Sequence, residues 1–329
     1  MNLWDEEIDA ARGRIRAESV EFIGHFPARG PDSGTVLERA RARRDAESAL
    51  VIPSGRGTDR MVAGPGGPLR LREFRPERAA GAMLHIHGGG WMTGEPELTD
   101  LLNEALSEHL NLAIVSVEYR LAPEFPYPAG PDDCEAAALW LIENASSEYG
   151  TDRLLIGGES AGAHLSALTL LRLRDRHALG DRFCGANLVF GAYDLGLTPS
   201  ARGVGPAPGS DILDPEEIRF MVEQFTPGMP LEDRRRPDIS PLYADLRGMP
   251  PALFTVGTAD HLLDDTLFMA DRWLAAGNSA EVLVYPDAPH ACIGVGTVLT
   301  HWWPRLERFL RNCCSGSHGN DGSARWSGH

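Results

Sequence analysis

The chain has 329 residues, of which 43% are hydrophobic, and its 31 basic and 47 acidic side chains give a net charge of −16. A chain of this length and apolar content can bury most of its unfolded-state surface, roughly 75% near 300 residues, which excludes intrinsic disorder. All the basic residues other than histidine are arginine, which excludes mechanisms that need a lysine Schiff base or a P-loop lysine. The strong negative charge argues against nucleic acid or an anionic membrane as the main partner.

Cysteine usage and the character of the N-terminus indicate the compartment. The five cysteines are few, odd in number and irregularly spaced, which suits a reducing compartment better than a disulfide framework. The N-terminus is acidic where a signal peptide is basic, and no apolar run approaches the ~18 residues that a membrane span requires. We therefore expect a cytoplasmic protein.

Residues 1–58 predict two helices that lie outside the sheet that follows. In the first, Ile8, Ile15 and Phe22 fall on one face of a helix. Ahead of the second, Thr35 and Glu38 form a T-x-x-E pattern, which is typical of a capping box at a helix N-terminus. Both helices are therefore expected to be additions to a larger domain.

Residues 59–314 alternate between short apolar runs and longer helical patterns. Residues 61–63 and 69–74 flank a turn-rich Gly/Pro stretch, which favours an antiparallel hairpin. The six runs after it are mostly continuously apolar, as in strands that are covered on both faces, and Pro131 suits the start of an intervening helix. These runs lie at 82–87, 112–119, 153–158, 186–191, 251–257 and 280–286. The pattern predicts an α/β fold with a mostly parallel sheet.

Two segments do not fit this alternation. Residues 198–240 begin with a Pro/Gly-rich stretch and continue into a short helical pattern, which indicates an insertion between strands. Long insertions of this kind are usually functional lids or tolerated surface loops. Residues 315–329 are rich in Ser and Gly and are predicted to be disordered.

The pentapeptide Gly158–Gly162 reads G-E-S-A-G and matches the G-x-S-x-G pattern of a nucleophile elbow. The pattern alone occurs too often by chance to be diagnostic, so its context decides. Ser160 directly follows an apolar run and precedes a helical pattern, which gives the required strand, sharp turn and helix. The alternative is a structural glycine turn with an incidental serine.

The tetrapeptide His87–Gly90 follows the first buried run and is much rarer by chance. Consecutive glycines let backbone N–H groups point into a cleft, as an oxyanion hole requires. The expected donors are the amides of Gly88 and Gly89, together with that of Ala161, the residue after the serine. A flexible surface loop is the alternative, which the bulky Trp91 makes less attractive. The histidine of the tetrapeptide is expected to be architectural.

A serine nucleophile needs a base and an orienting carboxylate, which in this kind of fold follow it in the order acid and then histidine. Asp260 and His290 each come just after an apolar run, where a parallel sheet presents its carboxyl ends to ligands. Asp260 could instead be a helix N-cap, and His290 a loop histidine. Asp264 and Asp265 compete for the acid role and His261 for that of the base, and they rank lower.

Taken together, five motifs in this order resemble the hormone-sensitive-lipase-like branch (bacterial family IV esterases) of the α/β hydrolases. The motifs are His87–Trp91, Tyr119–Glu124, Gly158–Gly162, Asp260 within D-x-L-x-D, and His290. The resemblance spans about residues 60–312. It implies the α/β-hydrolase fold, in which a mostly parallel central sheet has helices on both faces, with a helical cap built from residues 1–58 and the insertion at 198–240.

The resemblance also implies a function, namely a serine carboxylesterase that hydrolyses short- to medium-chain acyl esters through an acyl-enzyme intermediate. Ser160 would be the nucleophile, His290 the base and Asp260 the orienting acid, with an oxyanion hole at Gly88, Gly89 and Ala161. The sequence departs from the family in two places: Ala163 replaces a frequent glycine, and Cys292 stands where a large aromatic residue is common. The second change leaves the pocket size and acyl preference open.

Two alternatives keep the fold but change the function. One is an amide or formamide hydrolase like the arylformamidases, and the other is a non-catalytic homologue that binds a small molecule. No metal or cofactor is implied, since no histidine or cysteine spacing is typical of a metal site. The expected partner is a small-molecule ester, and a homodimer is considered because many relatives dimerise. The residues expected to line an apolar pocket, or else to pack in the core, are Trp91, Met92, Tyr193, Phe220 and Met221.

Overall fold

A single sheet organises the molecule. The computed structural model describes residues 3–25, 34–49, 51–204, 212–316 and 325–326. Within these residues the strand order is β1-β2-β4-β3-β5-β6-β7-β8-β9, and every pairing is parallel except β1–β2 and β2–β4. The strands are β1 Thr58–Gly64, β2 Gly67–Phe74, β3 Gly81–Ile86, β4 Leu112–Val117, β5 Leu154–Glu159, β6 Phe183–Val189, β7 Ala252–Gly257, β8 Ala280–Tyr285 and β9 Arg325–Trp326.

All the predicted strands are present. The hairpin of β1 and β2 turns through Pro65 and Gly66, with Gly64 paired to Gly67. Strands β3, β4, β5 and β7 are buried at every residue. Because neighbouring residues of a strand point to opposite faces, this burial means that both faces of the sheet are covered. The prediction of a mostly parallel sheet with two covered faces is therefore confirmed.

Helices connect the strands or lie outside them. They are α1 Glu6–Gly24, α2 Val36–Ser48, α3 Asp100–Leu110, α4 Ala129–Tyr149, α5 Ala161–His177, α6 Pro215–Phe225, α7 Leu231–Arg234, α8 Leu263–Ala275 and α9 Gly296–Ser315. Helix α4 begins two residues before Pro131, which sits in its first turn, where a missing N–H costs nothing. No helix within the described ranges is both long and apolar enough to cross a bilayer.

The two N-terminal helices are present where the sequence predicts them. Helix α2 begins with the predicted capping box: the Glu38 amide donates to Thr35 Oγ1 at 3.2 Å, and the Thr35 amide donates to Glu38 Oε2 at 2.7 Å. Helix α1 buries Ile8 and Ile15 and packs along α9, where Glu18 accepts hydrogen bonds from the amide and hydroxyl of Thr297 at 2.6 and 2.8 Å.

The insertion at 198–240 carries helices α6 and α7, and its residues 205–211 lie outside the described ranges. Helix α2 contacts α6 through an ion pair between Arg43 and Glu217 and through the Arg39 guanidinium, which lies 5.0 Å from the centre of the Phe220 ring. The predicted tail 315–329 lies mostly outside the described residues as well, apart from the end of α9 and strand β9.

Candidate active site

The predicted nucleophile lies on a strained turn between β5 and α5. Ser160 has φ 55° and ψ −118°, a backbone conformation that few non-glycine residues adopt and that occurs at functional sites. Glycine is required on both sides. A Cβ at Gly158 or at Gly162 would lie 2.1 or 1.8 Å from the Ile86 carbonyl oxygen. The two glycines therefore let the elbow press against the end of β3.

Three side chains predicted from distant parts of the sequence meet at this turn. His290 Nε2 lies 3.0 Å from Ser160 Oγ, and His290 Nδ1 lies 2.8 Å from Asp260 Oδ2. The carboxylate cannot donate, so Nδ1–H donates to it, and Nε2 is left to accept from the serine hydroxyl. Asp260 and His290 are only 1% and 7% exposed, which strengthens the hydrogen bond between them.

The acid is held from its other side as well. The Leu262 amide donates to Asp260 Oδ1 at 2.8 Å, so both carboxylate oxygens have a partner. Phe190 packs edge-on against the imidazole of His290, with ring centres 4.8 Å apart. Cys292 is buried, and burial raises the pKa of its thiol well above the ordinary value. Cys292 is therefore a small, neutral side chain near Asp260.

The competing acids and base hold the start of the insertion instead. Asp265 Oδ1 accepts from the amides of Tyr193 and Asp194 at 2.7 and 2.8 Å, and Oδ2 accepts from the Thr198 hydroxyl. Asp264 and His261 both contact Ser200. These three side chains bind residues between β6 and α6, whereas Asp260 binds His290.

Residues 87–94, which we call the glycine loop, fold back on themselves beside the elbow. The amides of Met92 and Thr93 donate to the Gly89 carbonyl at 3.1 and 2.9 Å. Gly89 has φ 107°, and a Cβ there would lie 2.2 Å from the Thr93 carbonyl oxygen, so only glycine fits. Among the described residues, the amides of Gly88 and Gly89 donate to no protein acceptor. They remain available for a ligand.

The start of the glycine loop is fixed by buried contacts of Tyr119 with His87. Tyr119 donates its hydroxyl to the His87 carbonyl at 3.0 Å and stacks on the His87 ring at 4.3 Å. Burial lowers the pKa of His87 to about 4, so this ring is neutral at pH 7, in keeping with the architectural role expected of it. His85, also buried, contacts Ser116 Oγ at 2.9 Å and Glu159 Oε2 at 3.1 Å.

The predicted pocket residues fall into two groups. Trp91 belongs to the glycine loop and stacks on Phe225 at 4.9 Å. Met221 contacts the loop from outside, since a Cβ at Gly90 would lie 2.0 Å from Met221 Sδ. Met92 is buried in the loop itself. Their role in binding substrate stays a prediction.

The other two lie elsewhere. Tyr193 is fully buried and packs edge-on against Phe254, with ring centres 6.3 Å apart. Phe220 lies under the guanidinium of Arg39 from helix α2. These contacts are those of core and interhelical packing, which the sequence left open as the alternative for every residue of this set.

Three residues near the site were not singled out from the sequence. Phe190 follows β6 at its carboxyl end, a position that could have drawn attention to it. His164 accepts from Trp91 Nε1 at 3.0 Å and donates from Nε2 to the Ile239 carbonyl at 2.7 Å, and burial lowers its pKa to about 4. Arg44 of α2 contacts the glycine loop, and no local pattern marks it among the four arginines of that helix.

A metal centre is not apparent in the part of the chain that the structure describes, since no group of three or more histidine, cysteine or acidic side chains is placed to hold one there. The arrangement that is present, a hydroxyl, an imidazole and a carboxylate beside a row of amide donors, suits acyl transfer.

The fold and this site define the class of protein. A profile of the α/β hydrolase fold matches residues 83–294, which is more than half of the chain. The chain belongs to this family.

Named relatives are esterases. The chain is 34% identical over 283 residues to carboxylesterase NlhH of Mycobacterium tuberculosis, which covers 81% of this chain and 84% of that protein. An esterase from Pyrobaculum calidifontis has a TM-score of 0.76 at 26% identity, covering 91% of this chain and 98% of its own. A hormone-sensitive lipase from a metagenome library has a TM-score of 0.74 at 28% identity, covering 92% and 97%. The resemblance to the hormone-sensitive-lipase-like branch is confirmed.

Proposed function

We propose that the chain is a serine carboxylesterase in which Ser160 is the nucleophile, His290 the general base and Asp260 the orienting acid. The observation that carries the proposal is the unbroken set of hydrogen bonds from Ser160 Oγ through His290 to Asp260, beside a glycine loop with available amides. Membership of the α/β hydrolases, and the carboxylesterase name of a relative with 34% identity, support the same activity.

Acylation follows from this geometry. Ser160 Oγ attacks the ester carbonyl carbon while its proton moves to His290 Nε2. The oxygen that becomes negative accepts hydrogen bonds from the amides of Gly88, Gly89 and Ala161. Asp260 stabilises the imidazolium and keeps the ring in the required orientation. When the intermediate collapses, the C–O bond to the alcohol breaks, Nε2–H protonates the leaving alkoxide, and the acyl group stays on Ser160.

Deacylation repeats these steps with water. His290 Nε2 accepts a proton as a water molecule attacks the acyl carbon, and the same amides hold the second oxyanion. The bond from Ser160 Oγ to the acyl carbon then breaks, and the proton on His290 returns to the serine oxygen. The net reaction consumes one ester and one water molecule and releases a carboxylic acid and an alcohol.

The substrate class that we propose is esters of short to medium acyl chains. Bulky side chains close in on the glycine loop: Met221 packs against Gly90, and Trp91 is fixed between His164 and Phe225. From these contacts we infer that large side chains next to the glycine loop restrict the length of the acyl chain. Cys292 is smaller than the aromatic residue common at that position in the family, which leaves the upper limit of acyl length to be measured.

The test is a chain-length series of p-nitrophenyl esters hydrolysed by the wild type and by Ser160→Ala. We expect the wild type to prefer the shorter chains and the variant to lose about 10⁴- to 10⁶-fold in kcat. A fluorophosphonate probe should label the wild type and not the variant. Folded wild type that is neither labelled nor active on esters would contradict the proposal, and faster turnover of N-formylkynurenine than of any ester would favour the amide alternative.

We also propose a cytoplasmic location, with small-molecule esters rather than nucleic acid as partners, a homodimeric state, and the division into residues 1–58, 59–314 with the insertion at 198–240, and the tail 315–329. The net charge of −16 supports the choice of partner. Cell fractionation and light scattering of the purified chain test location and oligomeric state.

A further inference from the structure

Arg44, near the end of helix α2, donates four hydrogen bonds to the catalytic part of the molecule. Its Nε donates to the Met92 carbonyl at 2.7 Å, and Nη2 donates to the Ala122 carbonyl, also at 2.7 Å. The other two bonds reach the carboxylate of Glu124, from Nη1 at 2.9 Å and from Nη2 at 2.8 Å. One side chain therefore joins the N-terminal helices to two separate segments of the catalytic domain.

Both carbonyls belong to the network that shapes the glycine loop. The Met92 amide closes a turn onto the Gly89 carbonyl, and the Ala122 amide donates to the Trp91 carbonyl at 2.9 Å. Arg44 thus completes a ring of hydrogen bonds that runs from Met92 through Trp91 to Ala122 and back to the guanidinium. The ring includes Met92, whose amide closes the turn onto Gly89.

We propose that Arg44 is a positioning residue for the glycine loop, an inference that rests on the esterase function proposed above. By holding the Met92 and Ala122 carbonyls, it fixes the turn over Gly89 and with it the direction in which the oxyanion donors point. Small displacements of such donors are costly, because their effect depends on meeting the oxyanion at hydrogen-bond distance.

Glu124 orients the guanidinium in this role. Its carboxylate accepts from two nitrogens of Arg44, a bidentate geometry that fixes the plane of the fork. The hydrogen bonds from Arg44 lower the pKa of Glu124, so the carboxylate stays charged at neutral pH. A lysine could not replace Arg44, since an ammonium group on a flexible stem cannot reproduce this planar set of contacts.

Arg41, one turn earlier on the same helix, provides a matched control. Its side chain is 63% exposed, against 24% for Arg44, and its Nε lies 3.7 Å from Glu124, beyond hydrogen-bond distance. Removal of either arginine takes the same charge from the same helix and from the surroundings of the same carboxylate. The two variants differ in whether the carbonyls of the glycine loop network lose a donor.

A cavity beside Arg44 allows a second test, which is chemical rescue of Arg44→Ala by free guanidinium. A cavity of about 370 Å³ is bordered by Arg44, Gly94, Tyr119 and Glu124 among other residues. This volume is much larger than a guanidinium ion. In Arg44→Ala, free guanidinium could therefore enter from the cavity, bind the Glu124 carboxylate that the lost arginine had covered, and donate to the two carbonyls.

The experiment measures kcat and KM for p-nitrophenyl acetate in Arg44→Ala and Arg41→Ala, with active sites counted by fluorophosphonate labelling. We expect Arg44→Ala to lose about 10- to 100-fold in kcat while KM changes less than about threefold, because the donors act mainly in the transition state. Arg41→Ala should match the wild type. Guanidinium, at concentrations far below those that unfold the protein, should raise kcat of Arg44→Ala and not that of Arg41→Ala.

Two further variants, Arg44→Lys and Glu124→Gln, keep the test decisive should Arg44→Ala fold poorly. Both variants should fold and have a lower kcat than the wild type. Their Tm is measured alongside kcat. A lower Tm with an unchanged kcat per active site would overturn the inference, as would equal loss or equal rescue in the Arg41 variant. Failure of the wild type itself to hydrolyse esters would instead refute the proposed function, so the two failures are distinguishable.

Discussion

The strands that precede the proposed catalytic groups and the two N-terminal helices are stabilised in different ways. Strands β3, β5 and β7, which precede the glycine loop, the elbow and Asp260, are buried at every residue. By contrast, α2 has one buried residue, Ala40, and reaches the site through hydrogen bonds from an arginine. The difference teaches that burial of the strands fixes the residues that follow them, whereas α2 contacts the glycine loop from outside through a polar side chain.

Among the variants that test this comparison, the largest effect is expected at Asp260, the proposed orienting acid. In Asp260→Asn the amide keeps the shape of the side chain but can stabilise the wrong tautomer of His290, so kcat should fall by about 10⁴-fold. Asp264→Asn is the matched control, since Asp264 contacts Ser200 of the insertion, and its kcat should stay within about tenfold of the wild type. Comparable losses in the two variants would break the comparison, because they would make the insertion as important as the strands.

A second large effect is expected at Gly89. In Gly89→Ala, the Cβ would lie 2.2 Å from the Thr93 carbonyl oxygen at φ 107°, so the loop must move. Misdirected donors should then lower kcat by about 10²- to 10³-fold.

Gly67→Ala is the control for strain alone. Gly67 also has a positive φ, 120°, but lies in the β1–β2 turn with nothing within 4 Å of an added Cβ. This variant should lose about 1 kcal/mol of stability with kcat unchanged. If Gly89→Ala retained full kcat, the backbone of the loop would not be what positions the donors.

A smaller effect should appear at Asp265, which joins the strands to the insertion. Burial raises the pKa of this carboxyl to about 7, against the opposing effect of its hydrogen bonds from Thr198, Asp194 and Tyr193. The folded state therefore binds the proton more tightly than the unfolded state. Between pH 5 and 7 the folded state holds more protons, so the contribution of Asp265 to the free energy of unfolding falls as the pH rises, by at most about 1.4 kcal/mol per unit.

The measurement is urea unfolding of the wild type and of Asp265→Asn at several pH values. The free energy of unfolding of the wild type minus that of the variant should decrease from pH 5 to pH 7. A difference that stays constant, or that grows with pH, would mean that Asp265 is ionised throughout this range in the folded protein. The insertion would then be held by a charge.

The strands, and the meeting of Ser160, Asp260 and His290, were predictable because their sequence signals are local. Continuous apolar runs predict buried strands, and Ser160, Asp260 and His290 each follow such a run, where the carboxyl ends of parallel strands meet. The capping box of Thr35 and Glu38 is equally local, since its two members are three residues apart.

What the sequence did not predict depends on contacts between distant segments. Arg44 binds Met92 and Ala122, which are 48 and 78 residues away, and no periodicity or spacing encodes that meeting. Met92 illustrates the same limit: its apolar side chain suggested a pocket wall, yet its carbonyl is the group that Arg44 holds. Every residue carries the same carbonyl group, so a role that depends on a carbonyl oxygen leaves no trace in residue type.

The smallest effect on kcat is expected at the contact between α1 and the loop that carries His290. Arg12 pairs with both oxygens of Asp287 at 2.9 and 3.0 Å, three residues before His290, but the arginine side chain is 50% exposed. The loop is already held by the sheet, since the Asp287 amide donates to Thr258 Oγ1 at 2.8 Å. Arg12→Ala should therefore change kcat by less than about threefold, and added salt should shrink the difference.

Asp287→Asn tests the same contact from its other side. Asp287 has φ 58°, a conformation that asparagine tolerates, so the variant removes the charge without straining the turn. Kinetics of both variants should resemble those of the wild type, in contrast to Arg44→Ala. A loss of kcat in Arg12→Ala as large as in Arg44→Ala would show that the N-terminal helices position the base as well as the oxyanion donors, and the strands would then not be sufficient to place His290.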